Sequence, residues 1–252
     1  MLKLRLIPLL LLDGQRLVKS VGFGPGRDVG HPVKSAQVYN DQNADELMFL
    51  NVSRCARGIA PLLELLHEVS AVCFMPLTVG GGIASAAEAG RCIAGGADKV
   101  LFNSLCYRDL APLRSFSGDY GRQAAVVGID VRAEPDGWSL WSDCGRRREH
   151  ACLLDHARRV VDAGAGELLI QSISRDGAMQ GYDLDLLQTV AEAVPVPVIG
   201  AGGAGTYEHL REAFQATPVR ALAMGSLFHF GDSNPIRAKA HLTHYGIPCK
   251  VM

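Results

Sequence analysis

One carboxylate and two glycine turns carry the chemistry this chain can perform. Val126-Val127-Gly128-Ile129-Asp130 is an apolar run that ends in a single acid. A carboxylate at the end of a buried strand is costly to desolvate unless it has a partner or a task. Asp130 is therefore a candidate general acid or base; the alternative is an Asp that caps the following turn. Gly80-Gly81-Gly82-Ile83 follows the apolar run Met75–Val79, and Ala201-Gly202-Gly203-Ala204-Gly205 follows Val196–Ile199. Each turn precedes a helix-like segment. Glycine lets backbone N–H groups approach an anion, and a helix N-terminus adds its dipole. A lone turn of this kind would only shape the chain. Here 121 residues separate Gly82 from Gly203, and a repeated pair points to two phosphate sites facing each other.

Neighbouring polar residues fit those sites. Asn103 and Ser104, at the end of the fourth strand-like run, could add donors to the first. Gly225 and Ser226 hold the corresponding place in the second half, with Asp176-Gly177 close by. Lys19 could neutralise a phosphate; a solvated surface lysine is the alternative. Acid–base work usually needs a second group opposite the first. The repeat directs attention to the end of the first strand, where Leu9-Leu10-Leu11-Leu12 stands and Asp13 follows in the loop. The histidines, His229 among them, show no metal-ligand spacing, so neither metal nor cofactor is expected.

A second constellation lies at strand beginnings. Arg5, Glu46, Lys99 and Glu167 open the first, second, fourth and sixth strand-like runs. They could form an inward ring of alternating sign that gates a central passage. Ordinary surface ion pairs are the competing reading.

The elements that must position these residues alternate regularly. Strands are expected at Leu4–Leu12, Glu46–Val52, Met75–Val79, Lys99–Asn103, Ala124–Val131, Glu167–Ser172, Val196–Gly200 and Ala221–Met224. Helices are expected at Pro32–Asn43, Ile59–Val72, Ser85–Gly95, Asp109–Tyr120, His150–Gly164, Leu184–Val194, Tyr207–Ala216 and Pro235–Tyr245. Eight β/α units of even spacing predict an α/β fold, a single (β/α)8 TIM barrel over residues 1–252; a doubly wound open sheet is the runner-up. Glu46 recurs as Glu167 and Ser53-Arg54 as Ser174-Arg175, each 121 residues on, so the barrel is a twofold half-barrel repeat. Asp13–Gly30, with five glycines and Pro25, is expected to be a long mobile loop, and Trp138–Arg148 to add short hairpin strands.

Composition narrows the function. A net charge of −1 and a pI near 6.7 give no field for nucleic acid. Seven scattered cysteines without a CxxC pair suit reduced thiols and a cytoplasmic location. Met1–Leu12 imitates a signal peptide, but Pro8 interrupts its apolar run and no small-residue cleavage site follows, so it is read as a buried strand. Nothing else approaches a membrane span.

These segments carry a resemblance. The chain resembles the cyclase subunit of imidazole glycerol phosphate synthase over essentially its whole length. The matching stretches include Ile7-Pro8 with Asp13-Gly14 and Val18-Lys19, Asp45-Glu46-Leu47, Val79 to Ile83, Gly96-Ala97-Asp98-Lys99-Val100, Val127 to Asp130, Gly164 to Glu167, Ser174 to Gly177 with Gly181-Tyr182-Asp183, and Gly202 to Gly205. The resemblance implies a barrel that receives ammonia from a glutaminase partner docked at its bottom and uses it at the top. There it splits and cyclises a bis-phosphorylated ribulosyl-formimino nucleotide. It implies phosphate contacts at Gly82, Asn103, Ser104, Asp176, Gly177 and Gly203, with Lys19 in the loop. It also implies a gate of Arg5, Glu46, Lys99 and Glu167, and a partner contact at Asp98.

One of the family's two catalytic aspartates falls on Asp130. The other falls on Leu11, a supporting Asp on Asn51, and a further acid on Ser174. Leu9 to Leu12, Cys73-Phe74-Met75-Pro76 and Gly225 to Phe228 look like a paralogous branch. That branch accompanies a glutaminase-like subunit and a sugar amidotransferase in making acetamidino sugars for surface polysaccharide. The implied role is ammonia delivery, with ring closure weak or lost. An active cyclase of histidine synthesis is the alternative, with Asp13 substituting if the register shifts by two. A phosphosugar isomerase on the same plan also wants two carboxylates and leaves the bottom ring unexplained.

Overall fold

The computed structural model describes residues 3–53 and 58–250. Arg54 of the Ser53-Arg54 repeat, and Met1 and Leu2 of the N-terminal stretch, lie outside them. Twelve strands run through the described chain: β1 Arg5–Asp13, β2 Arg16–Lys19, β3 Arg27–Gly30, β4 Leu47–Asn51, β5 Leu77–Gly80, β6 Lys99–Phe102, β7 Ala125–Glu134, β8 Gly137–Ser142, β9 Arg147–Glu149, β10 Glu167–Ser172, β11 Val198–Ala201 and β12 Ala221–Met224. The helices are α1 Pro32–Asp41, α2 Ala60–Val69, α3 Ala86–Ala94, α4 Ala111–Tyr120, α5 Leu153–Asp162, α6 Leu184–Ala193, α7 Tyr207–Ala216, α8 Ser226–His229 and α9 Pro235–His244.

Eight strands close on themselves, all parallel, in the cyclic order β1-β4-β5-β6-β7-β10-β11-β12, and β12 returns to β1 with Arg5 opposite Ala221. This is the (β/α)8 barrel that the spacing predicts. Such strands are buried on both faces, which explains their near-continuous apolar runs. Side chains still alternate. Ile7, Leu9, Met48, Leu101, Val126 and Leu169 fill the interior. Leu6, Leu10, Leu12, Val127 and Ile129 face the ring of helices. By the same alternation Leu11 and Asp130 belong to the inward set, near the ends of their strands.

The half-barrel repeat extends to backbone detail. Gly81 and Gly202 adopt φ of 90° and 91°. A Cβ on Gly81 would lie 2.1 Å from the Asn51 carbonyl oxygen, and one on Gly202 would lie 2.5 Å from the Ser172 oxygen. Both turns therefore need glycine twice over, for backbone angle and for room. Each leads into a capped helix: the Ser85 hydroxyl accepts from Glu88 N–H before α3, and the Thr206 hydroxyl accepts from His209 N–H before α7.

Both loop insertions are strand-rich. Trp138–Arg148 forms the hairpin β8–β9, and β7 runs on to Glu134 to pair with it. The expected long loop Asp13–Gly30 requires correction. Within it β2 pairs antiparallel with β1, Leu11 opposite Val18, and β3 pairs with β2. The Gly and Pro count outweighs a short Arg16–Lys19 strand when the sequence is read alone; pairing with β1 supplies what local propensity lacks.

The glycine turns generate a paired prediction. Gly202→Ala lowers the unfolding free energy by about 1–3 kcal/mol or more. Gly118→Ala, inside α4 with open space around a new Cβ, raises it by roughly 0.5–1 kcal/mol. Urea unfolding monitored by circular dichroism distinguishes the two.

Candidate functional site

The two ends of the barrel hold different chemistry. At the bottom, Arg5 opens β1, Glu46 directly precedes β4, Lys99 opens β6 and Glu167 opens β10. Strand starts share one level of a barrel, and inward alternation brings these four together on the axis. Arg5 pairs with Glu46, and its other guanidinium nitrogen lies 2.9 Å from Glu167 Oε1. Lys99 Nζ lies 3.2 Å from Glu46 Oε2 and 3.0 Å from Glu167 Oε2. The four side chains thus form a closed ring of alternating sign, each cation bridging both acids. Burial alone would lower the Arg5 pKa, but Glu167 and Glu46 together hold it above its ordinary value.

Beside the ring, on the underside, a cleft of about 220 Å³ is lined by Cys73, Phe74, Met75, Pro76, Leu77 and Asp98 among others. Phe74 is 84% exposed there. Asp98 fixes the cleft's edge by exchanging two bonds with Leu77: its N–H donates to the Leu77 carbonyl, and its Oδ2 accepts from Leu77 N–H, both at 2.8 Å.

At the top, β7 delivers Asp130 into the mouth. Asn103, just past β6, donates from Nδ2 to Asp130 Oδ2 at 2.9 Å. Burial pushes the Asp130 carboxyl up to about 7; the Asn103 bond opposes this, and the charge of Asp176 adds to it. Ser104 turns to the β8–β9 hairpin, where its hydroxyl accepts from Asp143 N–H at 3.0 Å. The second glycine turn borders a small cavity shared by Lys19, Asp176, Gly203, Gly225, Ser226 and Leu11. Gly177 and Gly202 line it as well. Lys19 Nζ donates to Asp176 Oδ1 and to the Ser20 carbonyl, each at 2.8 Å, and both charged side chains are 6% exposed. The Ser226 hydroxyl and Asp176 Oδ2 are buried with no hydrogen-bond partner among the described residues, so this cavity offers unused polar atoms beside a buried ammonium.

The residues expected around the second glycine turn are thus brought together, as are the four of the ring. Gly82 sits apart in the first turn, its Cα hydrogen facing the Gly58 carbonyl. Leu11 faces the cavity of the second turn. Asp13 is exposed and pairs with Arg16 at the β1–β2 turn. Asn51 is buried and donates to the Gly58 carbonyl at 3.1 Å. The exposed Ser174 accepts from Ala133 N–H. Sequence reasoning missed Gln171 and Leu9 as cavity walls; alternation along Glu167–Ser172 and Arg5–Asp13 would have found both.

Asp130 carries a pH signature. Its folded pKa of about 7 stands above the ordinary 3.8, so the folded state keeps a proton the unfolded state has lost. Stability from this group is present below about pH 4 and declines as pH rises to about 7. Asp130→Asn should remove that part of the slope in urea titrations between pH 4 and 8. Asn103→Ala, which deletes the opposing bond, should raise the Asp130 pKa further by carboxyl NMR.

Comparison with known sequences agrees with this architecture. The sequence model of the family described as "Histidine biosynthesis protein" matches residues 5–234. The chain is 41% identical over 253 residues to the imidazole glycerol phosphate synthase subunit HisF of two strains of Caulobacter vibrioides, covering all of this chain and 97% of theirs. It is 40% identical over 252 residues to the subunit of that name from Hyphomonas neptunium, covering both chains completely. With a closed eightfold barrel and full-length identity at this level, the chain belongs to the histidine biosynthesis protein family, as a HisF-type member of the imidazole glycerol phosphate synthase group.

Proposed function

We propose that this barrel takes ammonia from a glutaminase subunit docked on its lower face and passes it along the axis. It delivers the ammonia to a mouth that grips a phosphorylated ligand, for the amidination of a surface sugar by a separate amidotransferase. The closed ring of Arg5, Glu46, Lys99 and Glu167 is the observation that carries the reading. Above it the interior is lined by Ile7, Leu101 and Leu169. An apolar passage admits neutral ammonia far more readily than ammonium or other ions. Below it, the cleft around exposed Phe74 and Asp98 offers a docking surface for the glutaminase. At the mouth, Lys19, Asp176, Gly177, Gly202, Gly203, Gly225 and Ser226 would hold one phosphate. Gly82, Asn103 and Ser104 would hold the other, with Asn103 and Ser104 first released from Asp130 and Asp143.

Delivery without ring closure follows from Leu11. Two-ended acid–base chemistry needs a proton-transferring group opposite Asp130, and leucine has none. Losing one positioned acid or base costs on the order of 10²–10⁴-fold in rate. A working cyclase is the second reading. The HisF relatives favour it, and so does Asp130, whose pKa of about 7 suits general acid–base work near neutrality.

Giving the purified protein the bis-phosphorylated ribulosyl-formimino nucleotide with excess ammonium salt decides between them, because no glutaminase is then needed. The expected turnover is about 10²–10⁴-fold below that of a cyclase carrying both acids, and Leu11→Asp raises it. Turnover at full cyclase level in the unaltered protein would sink the delivery reading. For the ring, co-purification with a glutaminase-like subunit is expected. Arg5→Ala should uncouple glutamine hydrolysis from amidation; unchanged coupling would remove the gate.

A further inference from the structure

Two stacked side chains near Asp130 belong to neither the phosphate grip nor the charged ring at the bottom. Tyr107 ends the short helical turn Ser104–Tyr107 that follows Asn103, and His156 lies on α5. Their rings stack with 4.0 Å between centroids and 6° between planes. His156 is 1% exposed. Its Nε2 and the Tyr107 hydroxyl are buried with no hydrogen-bond partner among the described residues. Buried polar atoms left unpaired are costly, and apolar side chains of similar volume would fill the same space without that cost. Packing alone therefore does not account for the pair. What the stack does fix is the position of the Ser104–Tyr107 turn against α5.

That turn carries Asn103 with it. Cys106 N–H donates to the Asn103 carbonyl at 2.9 Å, so Asn103 is bonded into the same turn as Tyr107. Ser104 ties the turn to the hairpin tip through Asp143 N–H. The Asn103 side chain depends on this backbone. Its Nδ2 donates to Asp130 Oδ2, while its Oδ1 is buried without a partner among the described residues, so no second bond holds the amide. Gly128 on β7 leaves it room: a Cβ there would lie 3.3 Å from Asn103 Nδ2. The reach of the amide to Asp130 is thus set by where the turn sits. Burial first, then the charges of Asp130 and Glu149, hold the Tyr107 phenol above its ordinary pKa, which places that ring within electrostatic reach of the acid. Burial, assisted by the charge of Arg159, lowers the His156 pKa to about 4. The imidazole is therefore neutral where Asp130 titrates, at about 7.

We propose that Tyr107 and His156 are positioning residues for Asp130: their stack anchors the Asn103 turn to α5 and so holds the Asn103 amide on the carboxylate. This rests on the reading of Asp130 as the acid–base group of the mouth, and it names what keeps the proton affinity of that group in range. An amide free to drift would leave Asp130 to its burial and to the charge of Asp176, both of which favour the protonated form. Tyr107 and His156 act through Asn103 and need no contact with a ligand.

The titration of Asp130 in the full-length protein, followed by carboxyl NMR, reads the anchor directly. His156→Leu removes the stack and, because the imidazole is neutral at these pH values, removes no charge. It should raise the Asp130 pKa, the direction expected for Asn103→Ala. The double variant should go no further than Asn103→Ala alone, as for two groups acting in one chain. His156→Phe, which keeps a ring against Tyr107, should leave the titration where it is. An unmoved Asp130 in folded His156→Leu would overturn the anchor, and so would shifts that add in the double variant. A shift in His156→Phe as large as that in His156→Leu would overturn it too. Circular dichroism checks each fold. If His156→Leu does not fold, Tyr107→Leu breaks the stack from the other side, and its non-additivity with Asn103→Ala decides. An Asp130 that titrates near the ordinary 3.8 in the unaltered protein would sink the acid–base reading; the anchor is still decided by whether the variants shift that titration together.

Discussion

Two cations and two carboxylates meeting on the barrel axis constrain everything above and below them. Each charge sits in a space where water is scarce, so each depends on its neighbours for solvation. Arg5 and Lys99 both bridge Glu46 and Glu167. Removing any one leaves two others short of a partner, which costs about 3–5 kcal/mol for a buried pair. The residues come from the starts of β1, β4, β6 and β10, so the ring also sets the level of four strands relative to one another. Next to it, Lys239 Nζ reaches Asp45 Oδ1 at 2.6 Å, and Asp45 Oδ2 accepts from Leu6 N–H at 2.8 Å. The last helix is thus bolted to the seam between β1 and β4, beside the ring.

The mouth begins from the same symmetry and then departs from it. The two glycine turns share their backbone angles, their close approach to a preceding strand and their helix caps. The residues between the turns do not match. On one side β7 supplies Asp130; on the other, β1 supplies Leu9 and Leu11. With leucines at both of those places, the raised Asp130 pKa arises mainly from burial, with the charge of Asp176 a smaller contributor. Lys19 cannot relieve it, because its ammonium is already committed to Asp176. Asp130 therefore stands between an apolar wall and the hairpin, where the Arg132 guanidinium carbon lies 4.1 Å from the Trp141 ring centroid.

Much of this was legible in the residues. Strands buried on both faces read as apolar runs, and Glu167–Ser172 and Ala221–Met224 are found at the expected bounds. The ring was legible as four charges at strand starts. That they close into one cycle depends on inward alternation and barrel closure, which no local pattern encodes. The β1–β2–β3 hairpin was not legible, because five glycines and Pro25 signal a loop more strongly than four residues signal a strand. The Arg132–Trp141 pair was hidden for a related reason. A hairpin at Trp138–Arg148 can be recognised from composition, yet which tryptophan faces the mouth is set by register, and a slip of one residue would exchange Trp141 for Leu140. Ser104 likewise reads as a free hydroxyl until the hairpin tip brings Asp143 N–H to it.

The ring also bears on the axial passage proposed above. A buried ionic cluster is a poor way to stabilise a core; well-packed apolar side chains of similar volume are often as stable or more so. The layer directly above, with Ile7, Leu101 and Leu169, is filled in that apolar manner and holds without charge. If the lower end of the axis served stability alone, the same solution was open to it. Paired charges instead leave a closure that can separate and re-form as side chains change rotamer, with each cation able to remain on one acid while leaving the other. That property suits a gate for a small neutral molecule, which is the role proposed for the ring above.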